Sequence, residues 1–183
     1  MIIISPGHGG INTGAIGADK VTLEKDWTLS ISLLQYKIVL DMGYPVKMAR
    51  YEDTTLTPVQ RTDIIKQSGA TVCIDNHFNA FDGKAFGAET IHSIYSNGKL
   101  ANEIMDSLIK AGQIKRRVFS QYQSNDRDYY FMHRLTGSVE TVIVEYGFID
   151  HALEFKLLAD RVYREELAKC VILKTIEYMK EDR

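Results

Sequence analysis

The chain has 183 residues, 45% hydrophobic and 25% charged, with a formal net charge of -2 at pH 7. This is the make-up of one globular domain able to bury a core, and the near-zero charge gives no general pull toward nucleic acid or an anionic membrane. No stretch approaches the roughly 20 apolar residues that cross a bilayer, and two cysteines make no disulfide framework.

The chain opens "MIIISPGHGG". Met1 to Ser5 reads as a buried strand, β-branched and ended by a turn signal. Pro6 is expected to leave the sheet, and the glycines around His8 let the backbone turn tightly. His8 then stands at the carboxyl end of a strand, the edge at which open α/β sheets bind ligands. A histidine in a glycine turn is equally a common incidental loop residue. Because these residues already form a strand, no secretory signal is read there. The expectation is synthesis in a reducing cytoplasm, or a catalytic domain excised from a larger secreted protein.

A helix is predicted from Leu23 to Met42, with Trp27, Ile31, Leu34 and Ile38 at helical spacing, Thr22 as N-cap and Gly43 as stop. A strand follows over Pro45 to Arg50. "LTPVQRTDIIKQSG" is a second helix, capped by Thr57, with Pro58 at its first position and Gly69 closing it. Ala70 to Asp75 is a buried strand with "NHFNA" at its end, and Ala88 to Tyr95 alternates like a strand with one wet face. Lys99 to Lys110 is a helix with Leu100, Ile104 and Leu108 on one side. Lys115 to Arg117 reads as a solvated turn opening an irregular polar segment to Arg127. "VETVIVE", Val139 to Glu145, is a further buried strand before "YGFID". One or two helices finish the chain, with Leu167, Val171 and Ile172 facing the core. Cys73 and Cys170 read as small buried side chains. The alternation predicts one domain over residues 1–183, a single α/β sheet with helices on both faces.

Three of these strands end in a reactive side chain: His8, His77 and Glu145. A fourth candidate, Glu24, opens the first long helix, where a carboxylate is also simply comfortable against the helix dipole. Two histidines and a carboxylate are a common ligand set for catalytic zinc, leaving one position to water. A second carboxylate that binds no metal is what such a site needs to take the water's proton. Spacing alone does not say which glutamate is ligand and which is base.

"IIISPGHGG", "GAIGA…LEK" with Glu24-Lys25, "NHFNA" and "VIVEYGFID" follow one another in order over residues 2 to about 160. Together they resemble the zinc-dependent N-acetylmuramoyl-L-alanine amidases of the type 3 family, found in bacterial autolysins and phage endolysins. "KMARYED" and Arg61 match that family's Arg-x-x-Asp and following Arg. The resemblance implies a twisted, mostly parallel six-stranded sheet flanked by helices. It implies His8, Glu24 and His77 as zinc ligands and Glu145 as the catalytic carboxylate, with no organic cofactor. The implied reaction is hydrolysis of the amide between the lactyl group of N-acetylmuramic acid and L-alanine of peptidoglycan. The alternatives are a zinc peptidase cutting within the stem peptide and a non-catalytic wall-binding module. Members of the family usually carry a separate wall-binding module, expected here outside these 183 residues. The expected site of action is the bacterial cell wall, reached by a phage lysin after membrane permeabilisation or by a secreted autolysin.

The chain departs from the family in three places. Ser5 stands where Asp is usual, Asp75-Asn76-His77 replaces Ser-x-His, and Glu140 lies near a missing Pro. None removes a ligand, and Asp75 becomes a candidate orienting partner for a ligand histidine. Among the other histidines, His92 is expected on a wet strand face, His133 near a strand of "YYFMHRL", on the surface rather than at the substrate groove, and His151 at a helix start. "QYQSNDRDYYF" suits a polar glycopeptide, and suits a solvated loop equally well.

Overall fold

A computed structural model describes residues 1–181. Strand β1 (Ile2–Pro6) leads through a glycine-rich loop to helix α1 (Glu24–Asp41). There follow β2 (Val46–Met48), α2 (Pro58–Lys66), β3 (Val72–Asn79), β4 (Ala88–Ile91) and α3 (Lys99–Lys110). Then come β5 (Lys115–Phe119), the short β6 (Tyr122–Gln123) and β7 (Arg127–Asp128), α4 (Phe131–Leu135), β8 (Glu140–Phe148), α5 (Ala152–Ala159) and α6 (Arg161–Glu181). Six strands form one sheet in the order β2-β1-β3-β8-β4-β5. All neighbours run parallel except β4 and β8. This is the expected mostly parallel α/β sheet. Among the described residues no helix is long and apolar enough to cross a membrane.

The strands alternate between two cores. Ile74, Val142 and Val144 pack against α1, α3 and α6, while Ile3, Cys73, Ile91 and Ile143 pack against α2 and α4. Ile2, Ile3 and Ile4 have no solvent exposure, each worth about 1.5–3 kcal/mol relative to an exposed side chain. The period of two then decides what faces each core at the carboxyl ends. Asp75, His77 and Glu145 continue the α2/α4 face, and Asn76, Phe78 and Tyr146 continue the other.

On that second face a buried polar network fixes the register of β3 against β8. Asn76 Nδ2 donates to Ser32 Oγ (2.8 Å) and Gln35 Oε1 (2.7 Å), and the Tyr146 hydroxyl donates to Asn76 Oδ1 (2.9 Å). Each group is satisfied by another of the set, so a one-residue slip would strand several buried polar atoms.

Several predicted boundaries move. Pro6 stays in the sheet as the last residue of β1, paired with Asn76; Pro6 needs no N–H there, and Gly7 N–H donates onward to Asn76 O. Thr22 does not cap α1, because its hydroxyl donates to Asp19 Oδ2 (2.7 Å). β3 runs on to Asn79, so His77 lies inside a strand. β4 is buried on both faces and has no wet side. Lys115 to Arg117 is no turn but the start of edge strand β5, hidden in the sequence by its charge. Thr57 caps α2 as predicted, in a reciprocal capping box with Gln60, and α3 has its predicted bounds.

Candidate metal centre

The cluster forms where the loop after β1, the start of α1 and the end of β3 meet. His8 takes a left-handed backbone conformation (φ 57°), and its Nδ1 lies 2.9 Å from Asn12 Oδ1, which leaves Nε2 facing inward. Glu24, the first residue of α1, is buried and does not serve as a simple dipole charge. Its Oε2 lies 3.0 Å from His8 Nε2 and accepts from Ala15 N–H (2.7 Å), while its Oε1 lies 2.9 Å from His77 Nδ1 and accepts from Phe78 N–H (2.9 Å). One ligand atom from each of His8, Glu24 and His77 falls within 4.8 Å of the others.

The backbone gives way to make room for these side chains. A Cβ on Gly14 would sit 2.5 Å from Glu24 Oε2 and 2.7 Å from His8 Cδ2, and one on Gly7 would lie 2.6 Å from His77 Nδ1. Two imidazoles and a carboxylate, converging at one point and cradled by glycines, fit a borderline divalent ion such as zinc.

Electrostatics set the protonation of the cluster. Burial pushes the Glu24 carboxyl up, but hydrogen bonds and charge from His77 and His8 outweigh it and hold it well below its usual range. Burial pushes the His77 imidazole down, but Asp75 and Glu24 on either side raise it well above its usual value. Asp75, itself buried and the candidate partner offered by the sequence, has its Oδ2 3.2 Å from His77 Nε2. His77 and Arg61 hold Asp75 low against the opposing effect of burial.

Glu145 on β8 is the direct cross-strand partner of His77 on β3. Its Oε2 is buried with no hydrogen-bond partner. Burial above all, with the nearby Glu24, Glu89 and Asp75 carboxylates adding and His77 opposing, pushes this carboxyl up to about 8. Neither Arg50 nor Arg61 pairs with it. Both arginines instead grip the backbone around His8. Arg61 donates to Ser5 Oγ (3.1 Å), Pro6 O and His8 O (2.6 Å), and Arg50 donates to Gly7 O (2.9 Å) and Lys25 O (3.0 Å). Asp53 completes the clamp, accepting from Gly10 N–H (2.7 Å) and Lys25 Nζ (2.6 Å).

A cleft of about 180 Å³ opens over the centre, with Glu145, His77, Arg61, Tyr130 and Phe131 among its walls. Tyr130 and Phe131 end the "QYQSNDRDYYF" segment, so that segment contributes to the cleft. The remaining histidines stand apart from the centre. His92 is half-buried, with Nδ1 2.8 Å from Ser93 O. His133 is buried within helix α4, correcting the expected strand and surface position. His151 caps α5 as expected.

Sequence reasoning missed Glu89 of β4. It is buried beside Glu145 in register and held by Arg116 (2.7 Å) and Arg117 (2.8 Å). The one available signal was an acidic residue in an otherwise apolar alternating run.

Fold and site together define an α/β domain with a candidate metal centre at the carboxyl edge of its sheet. Residues 2–177 match the N-acetylmuramoyl-L-alanine amidase family of type 3, and the chain belongs to that family. It is 28% identical over 200 residues to the germination-specific N-acetylmuramoyl-L-alanine amidase of Bacillus subtilis (strain 168), covering 99% of this chain and 80% of that protein. It is 24% identical over 172 residues to the probable cell wall amidase LytH of Staphylococcus aureus, covering 93% of this chain but only 55% of that protein. The chain thus spans about half the length of the staphylococcal relative. The CwlD amidase from Clostridioides difficile, solved in complex with the GerS lipoprotein, superposes with a TM-score of 0.87 at 28% identity, covering 98% of each chain.

Proposed function

We propose that this chain hydrolyses the amide joining the lactyl group of N-acetylmuramic acid to L-alanine in peptidoglycan, with His8, Glu24 and His77 holding a zinc ion and Glu145 moving the proton. The observation that carries the reading is the placement of Glu145, a half-buried residue in the strand register next to His77 whose carboxylate Oε2 is buried without a hydrogen-bond partner. Zinc, when bound, makes water nucleophilic near neutral pH and polarises the scissile carbonyl. Glu145, whose carboxyl is pushed up to about 8 in the metal-free protein, would in its ionised form accept the proton from the attacking water and hand it to the departing alanine nitrogen. Asp75 and Asn12 fix the two imidazole rings from behind, and the Arg50–Arg61 clamp holds the loop that carries His8.

The substrate class is supported by family membership and by the cell-wall amidase names of the relatives. The proposed site of action is the bacterial cell wall. Mass spectrometry of digested peptidoglycan is the test. The reading expects free stem peptides beginning with alanine, produced only when metal is present. Cleavage within the stem would make the enzyme a peptidase, and binding without products would make it a wall-binding module.

A further inference from the structure

The row of side chains that begins at His77 continues past Glu145. His77 on β3, Glu145 on β8, Glu89 on β4 and Arg117 on β5 are successive register partners across four adjacent strands. They therefore project from one face of the sheet. Between Ala88 and Glu89 the register shifts: Ala88 pairs with Lys115, and Glu89 with Arg117. Arg116 is the extra residue of a β-bulge, and a bulge re-aims a side chain that would otherwise point to the opposite face. The result is two consecutive arginines on one carboxylate. Arg116 Nε lies 2.7 Å and Arg117 Nε 2.8 Å from the same oxygen, Glu89 Oε1.

These three residues carry a net charge of +1. Glu89 is 2% exposed, whereas the Arg116 and Arg117 side chains remain 38% and 54% exposed. The pair is also braced from below, Arg116 over the Phe148 ring (5.1 Å) and Arg117 over the Phe119 ring (3.8 Å). A buried carboxylate and two aromatic faces thus hold a guanidinium pair in a fixed place with its outer ends in water. Planar, pre-set guanidinium forks are suited to carboxylate recognition. Glu89, which both arginines hold, is the register partner of Glu145, and Glu145 forms part of the cleft wall, so the arginine pair stands one strand beyond the cleft.

We propose that Arg116 and Arg117 form a binding site for a free carboxylate on the peptide side of the substrate, close to the bond that is cut. This rests on the amidase reading and adds to it a preference among stem peptides. Adjacent strands lie about 4.7–4.9 Å apart, so the β5 backbone is about 10 Å from that of Glu145. An extended peptide covers that span in about three residues. Because the arginines lean back over Glu89, the group they reach belongs to the second residue, counting the released alanine as the first. The competing explanation is that the arginines only neutralise Glu89 within the fold.

The test uses two synthetic muramoyl peptides, one whose second residue bears a free carboxylate and one with that carboxyl amidated, each incubated with the zinc-loaded enzyme. The wild type is expected to prefer the free acid by about tenfold in kcat/KM, mostly through KM. Arg117→Gln, which leaves Arg116 on Glu89, is expected to lose most of that preference. Preference for the amidated peptide, equal rates on both peptides in the wild type, or an Arg117→Gln loss that is the same on both, would overturn the carboxylate site. Failure of the wild type to cut either peptide at the lactyl–alanine bond would instead refute the amidase reading, a distinguishable outcome.

Discussion

Asp75 and His77 lie two residues apart on one face of β3, with Asp75 Oδ2 3.2 Å from His77 Nε2. That contact turns the other ring nitrogen, Nδ1, toward Glu24. A carboxylate behind a ligand histidine fixes its tautomer and raises its basicity, and losing such a partner typically costs 10–100-fold in metal affinity or activity. Asp75→Asn is therefore expected to weaken zinc binding by about that factor, read by competition with a chromophoric chelator. Unchanged affinity would show that the contact orients nothing.

The raised pKa of His77 has a definite sign in the metal-free protein. A folded-state pKa above the ordinary 6.5 contributes stability that is fully present below pH 6.5 and is lost as pH rises through the folded value. The metal-free protein should therefore lose stability on the alkaline side of 6.5, measured as a falling Tm. Metal binding requires neutral imidazole, so at pH 7 it should release at least the His77 proton, seen by calorimetry in buffers of different ionisation enthalpy. A flat Tm with no proton release would contradict a charged His77.

How much of this was legible in the sequence follows from what each residue does. Apolar runs such as Ile2–Ile4 and Val142–Val144 announce buried strands, and His8, His77 and Glu145 stand near their carboxyl ends. The ligand roles came with the family resemblance, since spacing does not distinguish Glu24 from Glu145. Asp75 is offered by the sequence only through its place in the family's Ser-x-His pattern; the contact itself follows because residues i and i+2 share a strand face. Edge strand β5 was hidden because "KRRVF" has the charge of a turn, and its bulge at Arg116 depends on pairing with β4. Arg50 and Arg61 matched a pattern, but their grip on the carbonyls of Pro6, Gly7 and His8 is a tertiary fact with no local signature.

That grip makes Arg61 a test of loop rigidity. Arg61→Lys keeps the charge but loses the fork that reaches Ser5 Oγ and the His8 carbonyl together. Hydrogen bonds from a charged donor to buried acceptors are worth about 1.5–3 kcal/mol, and a domain of this size shifts in Tm by about 2–4 °C per kcal/mol. A loss of several degrees is expected, together with weaker zinc binding because His8 loses its anchor. Wild-type melting and affinity would remove the clamp from the account.

Glu89 sits beside Glu145 and is one of the negative charges that help raise it. Glu145 acts as a base only when ionised, so the rate should fall on the acid side of its pKa. Replacing Glu89 with glutamine removes a like charge and favours the ionised form, so the acid limb of kcat/KM should move to lower pH. A limb that stays in place, or moves up, would show that Glu145 does not set it.

The central claim is that Glu145 moves the proton while His8, Glu24 and His77 hold the metal. Glu145→Gln preserves shape but cannot accept a proton, so it separates the two roles. The measurement is zinc content and peptidoglycan turnover on the same preparation of that variant. The account predicts one zinc per chain, as in the wild type, with turnover reduced by roughly 10²-fold or more. Wild-type turnover with zinc bound would contradict it.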